Sequence, residues 1–261
     1  MQSTLQRVSA LVISIVGLLP LAAQAQDNKA DGLWRGVGGA ALAATSGNSS
    51  TQSLSMNVDA AKATAADKIT LGAFVNYGKS KTAGVSTTTA NKWAGFGQYD
   101  FNLGPRTVAF GRLGLEGDGV ADLNLRTALA GGLGYKLIDE KDTKFTVYGG
   151  AGYTTDKYDS PQTIAGKRGT SFSRSSLYLA EESSHQLSPT VAFKQRLDLF
   201  PGVSGDKAVI AKFTAGLSVA MSSTLNLSVG LQDSYNSKPA AGQKKNDVTF
   251  LTGVSMKFGA L

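Results

Sequence analysis

The single histidine of the chain, His185, is the one imidazole that could act as a general base. It follows Ser184 and precedes Ser188, with Glu181 and Glu182 a few residues upstream. A lipid hydrolase needs such a base together with a nucleophile and an orienting acid. The chain has no Gly-x-Ser-x-Gly elbow, and His185 is expected beside a tight turn at one rim of the fold. We therefore favour a structural histidine and a protein that is not an enzyme, with a lipid hydrolase as the alternative.

Three carboxylates fall within one short stretch, at Glu116, Asp118 and Asp122. Carboxylate oxygens bind Ca²⁺, but this spacing differs from the Asp-x-Asp-x-Asp-Gly pattern of a calcium loop. With no Cys and one His, thiolate and multi-histidine metal centres are excluded as well. We expect a solvated turn here, and no bound metal or cofactor.

Basic residues recur in the segments that are rich in turn formers. Such residues could donate charge-assisted hydrogen bonds to lipid phosphates, although solvated loop charge is the favoured interpretation. The net charge of +7 is modest and dispersed, so nucleic-acid binding is not expected. The basic residues predicted on external loops are Lys79, Lys81, Lys167, Arg168, Lys238, Lys244 and Lys245.

Residues 1–25 have the composition of a cleaved Sec-type signal peptide. Arg7 supplies the positive charge, residues 8–22 form the apolar segment, and residues 23–25 fit the small-x-small cleavage rule. A retained membrane anchor is less favoured, because the apolar run is short. The protein is therefore expected to be exported, with one mature domain of residues 26–261.

The mature chain alternates apolar and polar residues, which is typical of half-exposed strands, and it lacks helical periodicity. In residues 224–236, for example, Leu225 and Leu227 share one face and Asn226 and Ser228 share the other. We predict twelve such strands, near residues 33–45, 52–63, 69–79, 91–103, 107–116, 123–137, 144–156, 173–186, 191–199, 208–221, 224–236 and 247–258.

Short turns alternate with longer polar segments between these strands. A transmembrane antiparallel up-and-down β-barrel explains the strand length, the even strand number and this alternation together. We therefore predict an all-β fold with a single barrel of about twelve strands. A soluble β-sandwich with a dry apolar core is the alternative. The longer segments are predicted at residues 80–90, 117–122, 157–172, 200–207 and 237–246.

The polar face is assigned to the lumen, because a Lys or Arg at the membrane midplane would cost about 2–4 kcal/mol on the lipid side. Glu181 and Glu182 put one carboxylate on each face, which suggests either a β-bulge at Glu181 or a misplaced register. The predicted lumen charges are Arg112, Glu116, Arg126, Lys136, Lys194, Arg196, Asp198 and Lys212. The aromatic residues predicted at the two membrane rims are Trp34, Tyr77, Trp93, Tyr99, Tyr135, Tyr235 and Phe258.

Three stretches carry a family resemblance: residues 45–50 (TSGNSS), 112–126 (RLGLEGDGVADLNLR) and 234–247 (SYNSKPAAGQKKND). In these the chain resembles the YdiY-like family of salt-induced outer-membrane proteins. The resemblance implies a β-barrel in the outer membrane of a Gram-negative cell. It also implies contact with outer-membrane lipid and lipopolysaccharide, and insertion by the barrel-assembly machinery. It implies no activity.

We expect a structural role in the envelope or a narrow, weakly anion-biased passive channel, since Lys and Arg outnumber Asp and Glu on the inward face. Arg112 and Arg126 are expected to pair with Glu116 and Asp118, and the 157–172 loop could fold into the lumen. A link to salt or osmotic stress follows from the family resemblance alone. A lipopolysaccharide-binding barrel is a further alternative, and the oligomeric state is left open.

Expression of the full chain in a Gram-negative cell tests these expectations. The protein should be recovered in the outer-membrane fraction with Gln26 as its N-terminal residue. It should also migrate faster on gels before boiling than after, because a closed barrel resists detergent unfolding. Recovery as a soluble monomer without detergent would contradict the barrel.

Overall fold

The structure, a computed structural model, describes residues 29–45 and 49–260. The predicted signal peptide, 1–25, lies outside these residues. Within them the chain forms twelve strands in succession. The strands are β1 (Trp34–Thr45), β2 (Ser49–Ala63), β3 (Asp67–Thr82), β4 (Val85–Asn102), β5 (Thr107–Asp118), β6 (Leu123–Asp139), β7 (Thr143–Ile164), β8 (Lys167–Gln186), β9 (Val191–Pro201), β10 (Val209–Ala220), β11 (Leu225–Asn236) and β12 (Asn246–Gly259).

Each strand pairs antiparallel with the next along the chain, and β1 pairs with β12, so the sheet closes into a barrel. The closing register joins Arg35 to Gly259 and Ala40 to Val254. This confirms the prediction of an all-β, twelve-stranded up-and-down barrel. In the part of the chain described, no helix has the length and hydropathy needed to cross a bilayer.

The two ends of the barrel carry different connections. We call the end with the starts of the odd-numbered strands the turn end, and the opposite end the loop end. Connections at the turn end are 64–66, 103–106, 140–142, 187–190 and 221–224. The described connections at the loop end are 83–84, 119–122, 165–166, 202–208 and 237–245.

Apolar side chains lie outside the barrel and polar side chains inside, because neighbours along a strand point to opposite faces. In β11, Leu225 and Leu227 are 40% and 46% exposed, whereas Asn226 and Ser228 are 2% and 0% exposed. This polarity is the reverse of that in a soluble protein and is typical of a barrel surrounded by lipid. The dry-core β-sandwich is therefore not the arrangement found.

Two of the predicted loops, 80–90 and 157–172, are wrong, because both segments are largely strand. They continue β3 into β4 and β7 into β8 around two-residue turns. Ala83 and Gly84 have φ values of 50° and 85°, and the turn at 165–166 is alike. Such turns match the twist of the paired strands. In the first segment every residue from Lys81 to Thr89 is exposed, so the alternation on which the prediction depended is absent there. In the second, Tyr158 and Ile164 are buried by packing against other connections rather than by a local pattern.

The β-bulge expected at Glu181 is also wrong. Glu181 pairs with Val147 on β7 and with Leu197 on β9 in an unbroken register. Its Oε2 accepts a hydrogen bond from Gln195 Nε2 over 3.5 Å. The outward carboxylate therefore has a side-chain partner on the same face, and the backbone is not distorted around it.

Glycines on β6 and β7 allow close approach inside the barrel. A Cβ on Gly150 would lie 2.1 Å from the carbonyl oxygen of Gly131. A Cβ on Gly134 would lie 2.7 Å from the ring of Tyr148, so the glycine leaves room for that ring. A Cβ on Gly149, which lies on the outward face, would have no atom within 4 Å. The inward glycines thus have a packing role that the outward one does not share.

The adjacent pair Gly149 and Gly150 tests this packing. Gly150→Ala should destabilise the barrel by about 1–3 kcal/mol, because the added methyl overlaps the backbone of β6. Gly149→Ala is the matched control and should be neutral or slightly stabilising, since its methyl enters free space and restricts the unfolded chain. Urea unfolding in detergent micelles measures both. Equal stability of the two variants would contradict the assignment.

Candidate functional site: the lumen of the barrel

All eight predicted lumen charges line one internal cavity: Arg112, Glu116, Arg126, Lys136, Lys194, Arg196, Asp198 and Lys212. Further charged groups of the lumen were missed from the sequence, among them Lys68, Lys92, Asp156, Arg174 and Asp206. Asp156 and Arg174 border the segment that was predicted as a loop. The signal that could have found them is their alternation with outward residues on the strands that continue through it.

Close to the loop end, an ion-pair chain crosses the lumen. Glu116 on β5 pairs with Lys212 on β10, and these strands are five positions apart around the barrel. As expected, Glu116 also pairs with Arg126, over 2.7 Å. Arg126 then reaches Asp156 on β7 over 2.6 Å. We call this chain and its continuation the loop-side network, which consists of Lys212, Glu116, Arg126, Asp156, Arg174 and Asp206.

Arg174 holds the 202–208 connection in place at the loop end. Its side chain is 1% exposed and pairs with Asp156 over 2.9 Å and with Asp206 over 2.7 Å. Asp206 lies in the 202–208 connection between β9 and β10. The backbone carbonyl of Asp206 accepts a further hydrogen bond from Lys238 Nζ over 2.6 Å. The buried guanidinium therefore holds 202–208 against β7 and β8.

The connections of the loop end meet above this network. Tyr158 and Ile164 of the β7 hairpin pack with Leu123 and Ala240, and all four are 9% exposed or less. Ala240 belongs to the β11–β12 connection, and β7 lies four positions from β11. The contact therefore spans the mouth. The 157–172 segment, which was expected as a loop in the lumen, covers the loop end as a hairpin.

Arg196 organises a second set of contacts nearer the turn end. Its guanidinium pairs with Asp198 over 2.9 Å and with Glu182 over 2.5 Å. It also donates to Gln98 Oε1 on β4 over 3.1 Å, five positions across the barrel. Lys68 on β3 makes a further crossing to Glu182 over 3.6 Å. We call these five residues the central network.

Arg112 does not make the expected ion pair. Within the described residues, no salt bridge joins it to Glu116 or Asp118. Its guanidinium instead lies 4.1 Å from the ring centroid of Phe96 and donates to Gln98 Oε1 over 3.1 Å. A guanidinium over an aromatic face is held by cation–π attraction. Arg112 is therefore a lumen cation that makes no salt bridge within the described residues.

Four aromatic side chains fill part of the lumen, although the alternation predicts a polar inward face. Phe110, Tyr148, Tyr178 and Phe200 have ring centroids 4.9 to 5.3 Å apart. The Tyr178 hydroxyl donates to Asp198 and so joins the cluster to the central network. These rings narrow the lumen on the side of β5 and β7 to β9.

The remaining space is a cavity of about 630 Å³, within the range of small-molecule pockets. Its lining extends from Asp67 at the turn end to Glu116 and Lys212. No residue of the 158–172 hairpin or of the 202–208 connection lines it. The cavity therefore begins at the turn end and stops below the loop-side network.

The carboxylates considered for calcium do not converge. Glu116 belongs to the loop-side network, and Asp118 lies 3.8 Å from a lysine on β4. Asp122 accepts hydrogen bonds from Ser160 and Gln162, and these bonds, chiefly that of the Ser160 hydroxyl, lower the pKa of Asp122. Among residues 29–45 and 49–260, no group of three or more His, Cys, Asp or Glu side chains is placed to hold a metal ion.

His185 stacks against Phe193 with ring centroids 6.1 Å apart. Within the described chain, its imidazole makes no hydrogen bond to Ser184 or Ser188. The Ser188 hydroxyl instead accepts the backbone N–H of Val191 over 3.1 Å. The base and nucleophile of the hydrolase alternative are thus not brought together.

The basic loop residues and rim aromatics occupy different parts of the surface. The basic residues are spread over separate connections of the loop end and form no single patch: Lys79 and Lys81 on β3, Lys167 and Arg168 on β8, and Lys238, Lys244 and Lys245 between β11 and β12. The aromatics point outward, near the turn end at Trp34, Tyr99, Tyr135 and Phe258, and near the loop end at Tyr77, Trp93 and Tyr235.

These features define a closed β-barrel with an apolar exterior and a charged lumen. The chain belongs to the family described as Protein of unknown function, DUF481, whose model matches residues 38–258. No relative was found among curated proteins.

Solved barrels are similar in fold. The NanC porin is 11% identical, with 87% of this chain and 97% of that chain covered and a TM-score of 0.44. The COG4313 outer membrane channel of Pseudomonas putida F1 is 10% identical, with 88% and 96% covered and a TM-score of 0.46.

Arg174 offers a test of the closure at the loop end. Arg174→Met should destabilise the barrel by about 3–5 kcal/mol, because Asp156 and Asp206 lose the charge that compensates their burial. It should also expose 202–208 to limited proteolysis. Arg168→Met, at the hairpin tip, is the matched control and should change neither the urea midpoint nor the cleavage pattern. If Arg174→Met changes neither the urea midpoint nor the cleavage pattern, the ion pairs do not hold this connection.

Proposed function

We propose that the protein is an outer-membrane barrel of the Gram-negative envelope that acts as a narrow, weakly anion-biased passive channel. In this proposal it catalyses no reaction, and the turn end with the N-terminus faces the periplasm. The observation that carries the proposal is that ion pairs and hydrogen bonds join opposite walls of the lumen, at Glu116–Lys212, Gln98–Arg196 and Lys68–Glu182.

Membrane insertion is supported by the outer surface. Large apolar side chains such as Leu133, Phe250 and Met256 are 52–57% exposed. In water so much exposed apolar surface would drive association. Two outward levels of aromatic side chains, represented by Tyr99 and Trp93, suit the two interfaces of a bilayer. A closed sheet also leaves no unpaired strand edge in lipid.

The crossing contacts support a small conductance. A barrel of twelve strands encloses more space than side chains fill in an eight-stranded barrel. Here that space is divided by the loop-side network, the central network and the aromatic rings. A solute entering from the turn end meets the Glu116–Lys212 pair before it reaches the connections that cover the loop end.

The charge of the lumen favours anions. Nine basic and seven acidic side chains line the cavity. Arg112 and Lys194 are basic lining residues with no carboxylate within 4.0 Å in the described part of the chain, so they are available to a passing anion. An excess of one charge along a constriction biases permeation toward the opposite ion.

The envelope role extends this proposal in two ways. Loop-end lysines such as Lys167, Lys244 and Lys245 would meet the phosphates of lipopolysaccharide. A link to salt or osmotic stress is supported by the sequence resemblance to salt-induced outer-membrane proteins. Salt screens exposed charges more strongly than ion pairs enclosed in the lumen. Any response of the protein to salt would therefore begin at the exposed charges of the loop end.

Planar-bilayer recording tests the channel. The wild type should give small, anion-biased steps, and Glu116→Gln combined with Lys212→Met should give larger steps, because the crossing pair is lost. Exchange of the charges, Glu116→Lys with Lys212→Glu, should restore the small conductance. Lys141→Met, in a turn outside the lumen, is the control and should behave as the wild type.

Large, cation-selective steps from the wild type would contradict both the narrow lumen and its charge bias. Complete silence of the wild type and all variants would contradict the channel and leave a structural role in the envelope.

A further inference from the structure

One compartment of the cavity contains a cation that makes no salt bridge within the described residues. Lys194 points inward from β9 and lines the cavity. Among the described residues, no carboxylate lies within 4.0 Å of its ammonium group, whereas Lys212 and Lys68 each have one. Two acids act on it from a longer distance, Glu182 on the adjacent strand β8 and, more weakly, Asp59 on β2, five strand positions away around the barrel. Lys194 thus keeps donors free toward open space.

Uncharged polar side chains extend from Lys194 along the neighbouring strands. Thr214 on β10 and Gln232 on β11 are register partners, and Ser234 on β11 is the partner of Lys212. All of them line the cavity, and no described residue hydrogen-bonds to the side chains of Thr214, Gln232 or Ser234. Gly216, the next inward residue after Thr214 on β10, is the register partner of Lys194 and places no side chain beside it. Hydroxyl and amide donors therefore border the same space as the ammonium.

The opposite wall offers an acceptor. Asn57 Nδ2 donates to Asp59 Oδ2 over 3.2 Å, which leaves Asn57 Oδ1 buried without a hydrogen-bond partner. A buried polar atom without a partner is unfavourable unless a bound group satisfies it. A solute hydroxyl would fit this atom, while its anionic group would fit Lys194.

We propose that this compartment binds a small oxyanion of the phosphate class, either free phosphate or a phosphorylated solute. The anion is held by Lys194 with donors from Thr214 and Gln232. Lys68, on the wall across the lumen, adds to the positive field at Lys194, so a doubly charged oxyanion is preferred over chloride. The site would be reached from the turn end, which under the proposed function faces the periplasm.

The site differs from the charged groups of the two networks. Arg126 and Arg196 each contact two carboxylates, so their charge is already compensated. An added anion would have to displace those partners. At Lys194 the anion displaces no ion-pair partner, and it is repelled by Glu182, whose charge is shared with Lys68 and Arg196, and by Asp59, which has no salt bridge within the described residues. Binding should therefore become tighter when the Asp59 charge is removed.

Isothermal titration of the full-length mature barrel in a non-ionic detergent, with inorganic phosphate at constant ionic strength, tests this site. The wild type should bind phosphate saturably, with chloride unable to compete. Lys194→Met should weaken binding at least about tenfold, the loss of one charge-assisted hydrogen bond. Lys194→Arg should retain binding, and Asp59→Asn should tighten it. Lys257→Met, a lysine of β12 that does not line the cavity, is the matched control and should leave binding unchanged.

Heat-modifiable migration on gels verifies that each variant has folded. Equal weakening in Lys194→Met and Lys257→Met, or binding that does not saturate, would overturn the site. A parallel titration with glycerol phosphate separates the sources: tighter binding than inorganic phosphate indicates a phosphorylated solute, and equal or weaker binding indicates free phosphate. These titrations need no membrane potential. Their result can therefore be interpreted even if bilayer recording contradicts the channel proposal.

Discussion

Hydrogen bonding between the first and last strands is the contact on which the rest of this molecule depends. The pairing of β1 with β12 over Arg35–Ala40 closes the sheet, and a closed sheet is compatible with a medium that offers no hydrogen bonds. Closure also divides each strand into an outward and an inward face. Leu227 and Ser228, adjacent on β11, illustrate the outcome, since one is 46% exposed on the outside and the other fully buried.

Enclosure of charge in the lumen has a further consequence. Charged side chains that share a confined space are stabilised by compensating partners, and those partners lie across the lumen as well as beside them. Arg196 contacts acids on β8 and β9 and an amide on β4, and Glu116 joins β5 to both β6 and β10. The same contacts that compensate charge therefore divide the lumen. Lys194 belongs to neither network and makes no salt bridge within the described residues.

The interior is also asymmetric. Aromatic rings fill the side of β5 and β7 to β9, and inward glycines of β6 and β7, Gly134 and Gly152, make room for them. The opposite side, around β10 and β11, is lined by small polar residues and stays open. At the loop end, Arg174 and the Tyr158 cluster cover the mouth. The two ends of the lumen therefore differ: the loop end is covered, and a polar space lies toward the turn end.

The sequence by itself determined the strand number, the antiparallel order and the inward face, because alternation with a period of two is a local property that each strand carries alone. Only the tertiary structure decided which charges meet. Glu116 and Lys212 are far apart in sequence and touch because closure places β5 opposite β10. The hairpin at 157–172 was also not predicted, because its buried residues Tyr158 and Ile164 pack against other connections of the loop end, a contact that no local pattern indicates. The apolar–polar alternation of a strand indicates which of its faces points outward and which points into the lumen. Contacts across the lumen depend instead on the curvature of the whole sheet.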